Sequence, residues 1–269
     1  MSKSIMFIHG MFMNPKSWDD WKTFFEDEGY ECVVPAWPFH EGEPANLRKR
    51  VPDGLGELPL QAVVDRMQET AETLEDPVLI GHSMGGLIVQ LLVNRGIGSL
   101  GVPICSVAPN RMLAYDWGFL RNSASITNPL KGNEPFPMDA DGFYKNFGNT
   151  MSRAASDAAY EQYATHESRN VLRDVMTDVA KVDLETQHVP FLFISADKDE
   201  IIPPELCLKN AMSYKHEGSR ADHMEFKNRG HFICGQPGWE EVAAYIANWI
   251  PGKSSASVGA SSIQQMEKQ

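Results

Sequence analysis

Gly81-His82-Ser83-Met84-Gly85 places a serine in the centre of a short string flanked by glycines. A serine hydroxyl attacks a carbonyl well only when it is held exposed and beside a base. The residues around this string suit that task. The apolar run Val78–Ile80 precedes it directly, and a strongly apolar stretch from about Leu87 to Asn94 follows it directly. That context predicts a strand, a sharp turn carrying Ser83, and a helix. Such a turn forces strained dihedrals on the serine. The flanking glycines leave room for it, and Gly86 lets the helix approach the strand. The backbone N–H of Met84, at the start of the helix, would then point to where an oxyanion forms. The chemistry this implies is acyl transfer through a covalent serine intermediate.

The elements that must position this serine can be read along the chain. Ile5–Ile8, Cys32–Val34, Val78–Ile80, Val102–Ala108, Phe191–Ser195 and, more weakly, Met224–Phe226 read as short strands. Between them, Pro15–Glu28 carries Trp18, Trp21, Phe24 and Phe25 on one helical face, and Leu60–Glu75 carries Val63, Val64, Met67, Ala71 and Leu74. Pro237–Ile250 reads as a last helix. Strands alternating with helices predict a parallel sheet covered on both faces. The alternation breaks between Asn110 and Lys181. That segment carries helical patterns around Asp141–Phe147, Ala154–Ala164 and Ser168–Val179 and many large side chains, among them Tyr115, Trp117 and Phe119. It reads as a helical cap, residues 110–181, inserted into a core formed by residues 1–109 and 182–250. Residues 251–269, rich in Ser, Ala and Gln without an apolar period, read as a disordered tail.

Ile5 to Ile250, apart from much of 110–181, resembles the α/β-hydrolase superfamily in its serine esterase and lipase-like branch. Gly81–Gly85 carries the likeness, and His9-Gly10-Met11-Phe12 is similar to the family's segment after its first core strand. Val34–Gly42 is similar to its D-x-P-G-x-G loop, with Trp37 in place of the Asp and Phe39 in place of a Gly. The resemblance implies an α/β fold with a mostly parallel sheet of about six strands, the family's two leading strands being absent. It assigns the second oxyanion N–H to Met11, the base to His231 in Asn228-Arg-Gly-His-Phe232, and structural hydrogen bonds beside the site to His9 and His82. The acid should follow the strand Phe191–Ser195, in the family's order of nucleophile, acid and histidine. Asp197, Asp199 and Glu200 compete for it. Asp199 is favoured, with Asp197 as the alternative: Asp199 clears the strand end by more residues, and Ser195–Pro203 resembles the family's G-x-x-D-x-x-x-P loop. Phe12, with Met112, Phe143 and Phe147 of the insertion, is expected to line an apolar substrate pocket.

The remaining features exclude more than they assign. The formal net charge is −12 and the sequence pI about 5.1, which disfavours nucleic acid and anionic membrane surfaces as partners. No apolar run is long enough to span a bilayer, and the first residues lack a signal-peptide core. Cys32, Cys105, Cys207 and Cys234 are scattered without zinc-type spacing and read as buried thiols in a reducing compartment. A cytoplasmic enzyme without metal or cofactor is therefore expected. Its substrate would be a small apolar carboxylic ester, with a lactone, thioester or C–C bond as alternatives on the same triad. A ligand-binding, receptor-like member of the fold with little turnover is the competing class.

Overall fold

The computed structural model describes residues 4–113 and 124–251. Tyr115, Trp117 and Phe119 of the insertion, and the tail from residue 252 onward, lie outside the described residues. Six strands form one sheet: β1 (Ser4–Ile8), β2 (Glu31–Val33), β3 (Val78–His82), β4 (Leu100–Ile104), β5 (Phe191–Ala196) and β6 (Ala221–Phe226). Their order is β2-β1-β3-β4-β5-β6, and every neighbouring pair is parallel. Parallel neighbours need crossovers. These are supplied by α1 (Asp19–Asp27), α2 (Pro44–Lys49), α3 (Leu60–Ala71), α4 (Met84–Asn94) and α9 (Pro204–Ser213), with α10 (Trp239–Trp249) closing the chain. Between β4 and β5 lie α5 (Asn110–Leu113), α6 (Ala140–Asn146), α7 (Arg153–Tyr163) and α8 (Arg169–Arg173).

Alternate residues of β1 enter different cores. Ile5 and Phe7 pack with Trp18, Trp21 and Phe25 of the α1 region and with Val242 and Ile246 of α10. Met6 and Ile8 pack with Val63, Val64 and Met67 of α3 and with Leu87, Ile88 and Leu91 of α4. This is why β1 and β3 are continuous apolar runs rather than alternating ones: both faces are covered. Met138, Phe143, Phe147, Val171 and Leu172 of the insertion join the same core as Met6 and Ile8.

The chain departs in opposite directions from β1 and β3, toward β2 on one side and β4 on the other. A crevice beyond the carboxyl ends of such a pair of strands is where open α/β sheets place ligands. The loop carrying Met11 leaves β1, and Ser83 leaves β3.

Several elements differ from expectation: α2 forms in a stretch read as loop, and α3 ends at Ala71 rather than Glu75. The strand expected at Val102–Ala108 runs from Leu100 to Ile104, because Cys105 adopts a left-handed φ of 43° that ends the extended run. The helix expected at Ser168–Val179 breaks after Arg173 into short turns at Asp174–Met176 and Asp178–Ala180. Between them Thr177 is extended. Its hydroxyl donates to the carbonyl of Asp174 and accepts from the N–H of Val179, a local alternative to helix hydrogen bonds. The helix α9 is an addition to the expected elements, although Pro204 at its first turn is a start signal.

Candidate active site

Ser83 sits between β3 and α4 with φ 56° and ψ −116°, a conformation costly for a residue with a side chain. The surroundings hold it there. Its N–H donates to the carbonyl of Ile104, and its carbonyl accepts from Val107 N–H. The glycines on either side are required by close approach: a Cβ at Gly85 would lie 2.2 Å from the carbonyl oxygen of Ile8, and one at Gly81 would lie 2.2 Å from that of Gly85. The string thus lets helix, nucleophile turn and β1 pack backbone against backbone.

His231 is fully buried on the loop between β6 and α10. Its Nδ1 lies 2.7 Å from Oδ2 of Asp199. The other oxygen of Asp199 accepts from the N–H groups of Ile201 and Ile202, both at 2.8 Å. Because a carboxylate accepts, Nδ1 carries the proton, and Nε2 presents its lone pair. Nε2 is buried with no hydrogen-bond partner among the described residues, and both Ser83 and His231 line one cavity. Asp197, by contrast, accepts from Arg229 N–H at 3.3 Å and lies 3.7 Å from Lys198 Nζ. Of the three acids in this loop, Asp199 is brought to the histidine; Glu200 lines the cavity instead. His82 donates from Nε2 to the carbonyl of His231 at 2.8 Å, and its ring lies 4.7 Å from that of His231. Burial, then the neighbouring imidazole of His231, pushes the pKa of His82 down to about 3, which keeps this donor neutral.

The cavity, of about 210 Å³, is walled by Met11, Phe12 and Met84 beside Ser83 and by Ile126, Phe136, Met138, Phe147 and Leu172 from the insertion. Neither the Met11 nor the Met84 amide donates to another group among the described residues. Both residues line the cavity beside Ser83. Phe147 stands edge-on to His231 at 5.1 Å. Two expected lining residues are placed elsewhere. Phe143 is fully buried behind Phe147, stacked on it at 5.2 Å and edge-on to Phe232 at 5.5 Å. Met112 faces α9, where Ser213 contacts its sulfur at 3.5 Å. Both fill core, the commoner fate of a large apolar side chain.

Cys105, Asp199 and His231 offer donor atoms within 4.8 Å of one another, a grouping of metal-ligating types among the described residues. It suits a metal poorly. Burial, then the charge of Asp199, raises the Cys105 thiol well above its ordinary pKa, and only a thiolate ligates well. The thiol instead stays protonated beside the Asp199 carboxylate. All four cysteines are buried and unpaired.

The alpha/beta hydrolase family model matches residues 5–244. The chain belongs to that family. A non-heme chloroperoxidase, CPO-A1 of Kitasatospora aureofaciens, is 25% identical over 217 residues, 75% of this chain and 76% of its own length. An extracellular alpha/beta-hydrolase from a Paenibacillus species superposes with a TM-score of 0.69 at 16% identity, covering 91% of this chain and 98% of its own. A monoacylglycerol lipase of Paleococcus ferrophilus superposes with 0.66 at 20% identity, covering 91% and 93%. These hydrolase neighbours share the fold. Among the described residues no helix is long and apolar enough to cross a membrane.

Sequence reasoning does not single out Glu167 and His40, both fully buried beside the Met11 loop. His40 lies inside Val34–Gly42 but is not one of the positions compared with the family's loop, and a lone Glu in a helical insertion reads as a solvated charge. No signal in one sequence brings the two together.

Proposed function

We propose that this family member hydrolyses carboxylic esters of small apolar substrates through an acyl-enzyme on Ser83. The observation that carries the reading is the buried Asp199–His231 pair, with the His231 Nε2 lone pair unpartnered beside Ser83 at the foot of an apolar cavity. Ser83 Oγ attacks the ester carbonyl carbon while His231 Nε2 takes its proton. The oxyanion is met by the N–H groups of Met11 and Met84. His231 then gives its proton to the leaving alkoxide, so that alcohol departs and the acyl group stays on Ser83. A water enters, loses a proton to Nε2 and attacks the acyl carbon; collapse returns the proton to Ser83 and releases the acid. Asp199 keeps the tautomer and stabilises the imidazolium without itself accepting the proton. The esterase and lipase neighbours agree in fold with such a reaction. The four unpaired, buried thiols suit the reducing conditions of a cytoplasm, and residues 110–181 act as the cap that walls the cavity.

The test is labelling by a fluorophosphonate together with turnover of short p-nitrophenyl esters. Stoichiometric labelling at Ser83, and a fall of about 10⁴-fold or more in turnover for Ser83→Ala, is expected. Labelling elsewhere, or full activity in Ser83→Ala, overturns the reading.

A further inference from the structure

Glu167 lies on the insertion, between α7 and α8, and is wholly buried with His40. Its Oε2 lies 3.1 Å from His40 Nε2 and 3.4 Å from Phe12 N, and its Oε1 accepts from Ser168 N–H at 2.7 Å. Burial works against a proton on His40, yet the neighbouring carboxylate outweighs it and leaves the pKa raised. Burying two charges costs several kcal/mol per ion before their attraction is counted, so a pair of this kind is weak evidence for stability. What it touches matters more. Phe12 has a left-handed φ of 65°, and it directly follows Met11. The two peptides that flank it are both held by the insertion: Phe12 N–H points at Glu167, and Phe12 carbonyl accepts from Thr165 N–H at 2.9 Å.

The preceding peptide is held by the same cluster. Gly10 carbonyl accepts from His9 Nδ1 at 3.0 Å. A peptide is planar and trans, so fixing that C=O on one side turns the Met11 N–H to the opposite side. His9 can donate from Nδ1 only because its Nε2 accepts from Trp37 N–H at 3.3 Å, which sets a neutral tautomer. Its ring stacks on Trp37 at 4.7 Å and lies 5.6 Å from His40. Burial, and then the charge on His40, lowers the pKa of His9 and keeps it in that form. Glu167 also pairs with Phe136 through both backbone hydrogen bonds of an antiparallel bridge, at 2.7 and 3.1 Å, and Phe136 is a cavity wall.

We propose that the buried Glu167–His40 pair is a positioning device for the oxyanion loop: it holds the strained backbone at Phe12, next to the Gly10–Met11 peptide that His9 fixes, so that Met11 N–H faces the reacting carbonyl. The inference rests on the ester-hydrolase reading of the site. It makes the insertion part of the machinery that stabilises the transition state, rather than only a wall of the cavity.

The experiment compares the wild type with Glu167→Gln, Glu167→Met and His40→Phe in p-nitrophenyl butyrate kinetics, fluorophosphonate labelling rate and thermal melting. Glu167→Met keeps the volume and removes the charge. It should lower kcat by about 10–100-fold, the scale of misplacing one oxyanion donor rather than removing it, with KM within about two-fold. The labelling rate of Ser83 should fall in proportion, because the phosphonyl oxygen uses the same donors. Glu167→Gln, whose amide oxygen can still accept from Phe12 N–H while its NH2 group meets Ser168 N–H, should recover part of the loss. His40→Phe removes the ion pair from the other side and should lower kcat like Glu167→Met; it carries the test if Glu167→Met does not fold. Lower melting temperatures with wild-type kcat and labelling rate in the folded variants would show a structural pair only and overturn the inference while leaving the hydrolase reading intact. No labelling of wild-type Ser83 would take down both.

Discussion

Asp199 and His231 hang from the loops that leave β5 and β6, strands that are neighbours in the sheet. Their mutual geometry follows from strand pairing, with the backbone N–H groups of Ile201 and Ile202 fixing the carboxylate locally. Met11 and Phe12 hang from the loop that leaves β1, and little in the sheet sets the direction of their peptides. That direction comes from Trp37, His40 and Glu167, the last of them 155 residues away in sequence. The insertion also reaches this end, where Phe147 carbonyl accepts from Phe232 N–H on the histidine loop and Asn149 donates to the Lys198 carbonyl on the loop of Asp199. There, however, it meets backbone with backbone or a neutral amide. At the oxyanion end it uses a buried carboxylate. The difference teaches that one fold can orient its buried Asp199–His231 pair through the sheet and the Met11–Phe12 peptides through an insertion, so that in the proposed reaction the two can be damaged separately.

The largest effect should come from the sheet-held end. Asp199→Asn should leave folding intact and lower kcat by up to ~10⁴-fold, because the wrong tautomer then faces Ser83. Asp197→Asn, whose carboxylate is spent on the Arg229 N–H, should change kcat far less. Steady-state kinetics beside thermal melts decides the pair, and the reverse ranking would assign the acid to Asp197.

Within the insertion, two stacked phenylalanines separate lining from packing. Phe147→Ala opens the cavity wall beside His231 and should shift the acyl-chain-length preference toward longer esters. Phe143→Ala removes a ring buried behind that wall and should cost about 3–5 kcal/mol of stability while leaving the preference unaltered. Turnover of a p-nitrophenyl ester series, with urea melts, reads both. A shifted profile in Phe143→Ala alone would exchange the roles of the two rings.

The smallest effect is a pH dependence at the sheet-held end. His82 is neutral in the folded chain, with its pKa near 3, while in the unfolded chain it should titrate near 6.5. The unfolded state therefore binds the extra proton, so stability is full above about pH 6.5 and falls as the pH drops toward 3. Between pH 6.5 and 5 the loss from this residue should be about 1.5 kcal/mol. In His82→Gln the loss of urea stability over that interval should be smaller by that amount; an identical loss in both proteins would remove His82 from the account.

Much of this was legible in the sequence because it depends on local chemistry. Ser83 is forced into its turn by residues within a few positions, and glycines at 81 and 85 are demanded by backbone contacts that any such turn creates. Continuous apolar runs mark strands covered on both faces, and Pro204 or Gly-His at Gly230–His231 are short-range signals too. Strand ends were less legible: the strand at Leu100–Ile104 stops where Cys105 turns left-handed, a conformation its side chain does not announce. What the sequence by itself determined was the parallel architecture, the nucleophile turn and the set of carboxylates from which an acid could be drawn. Only the tertiary structure decided that Asp199 rather than Asp197 meets His231, that Phe147 lines the cavity while Phe143 packs behind it, and that Glu167 closes on His40 beneath the oxyanion loop. The physical reason is burial. A carboxylate, a ring or an imidazole acquires its role from which groups share its dehydrated surroundings, and those groups are brought together by chain segments that carry no common pattern.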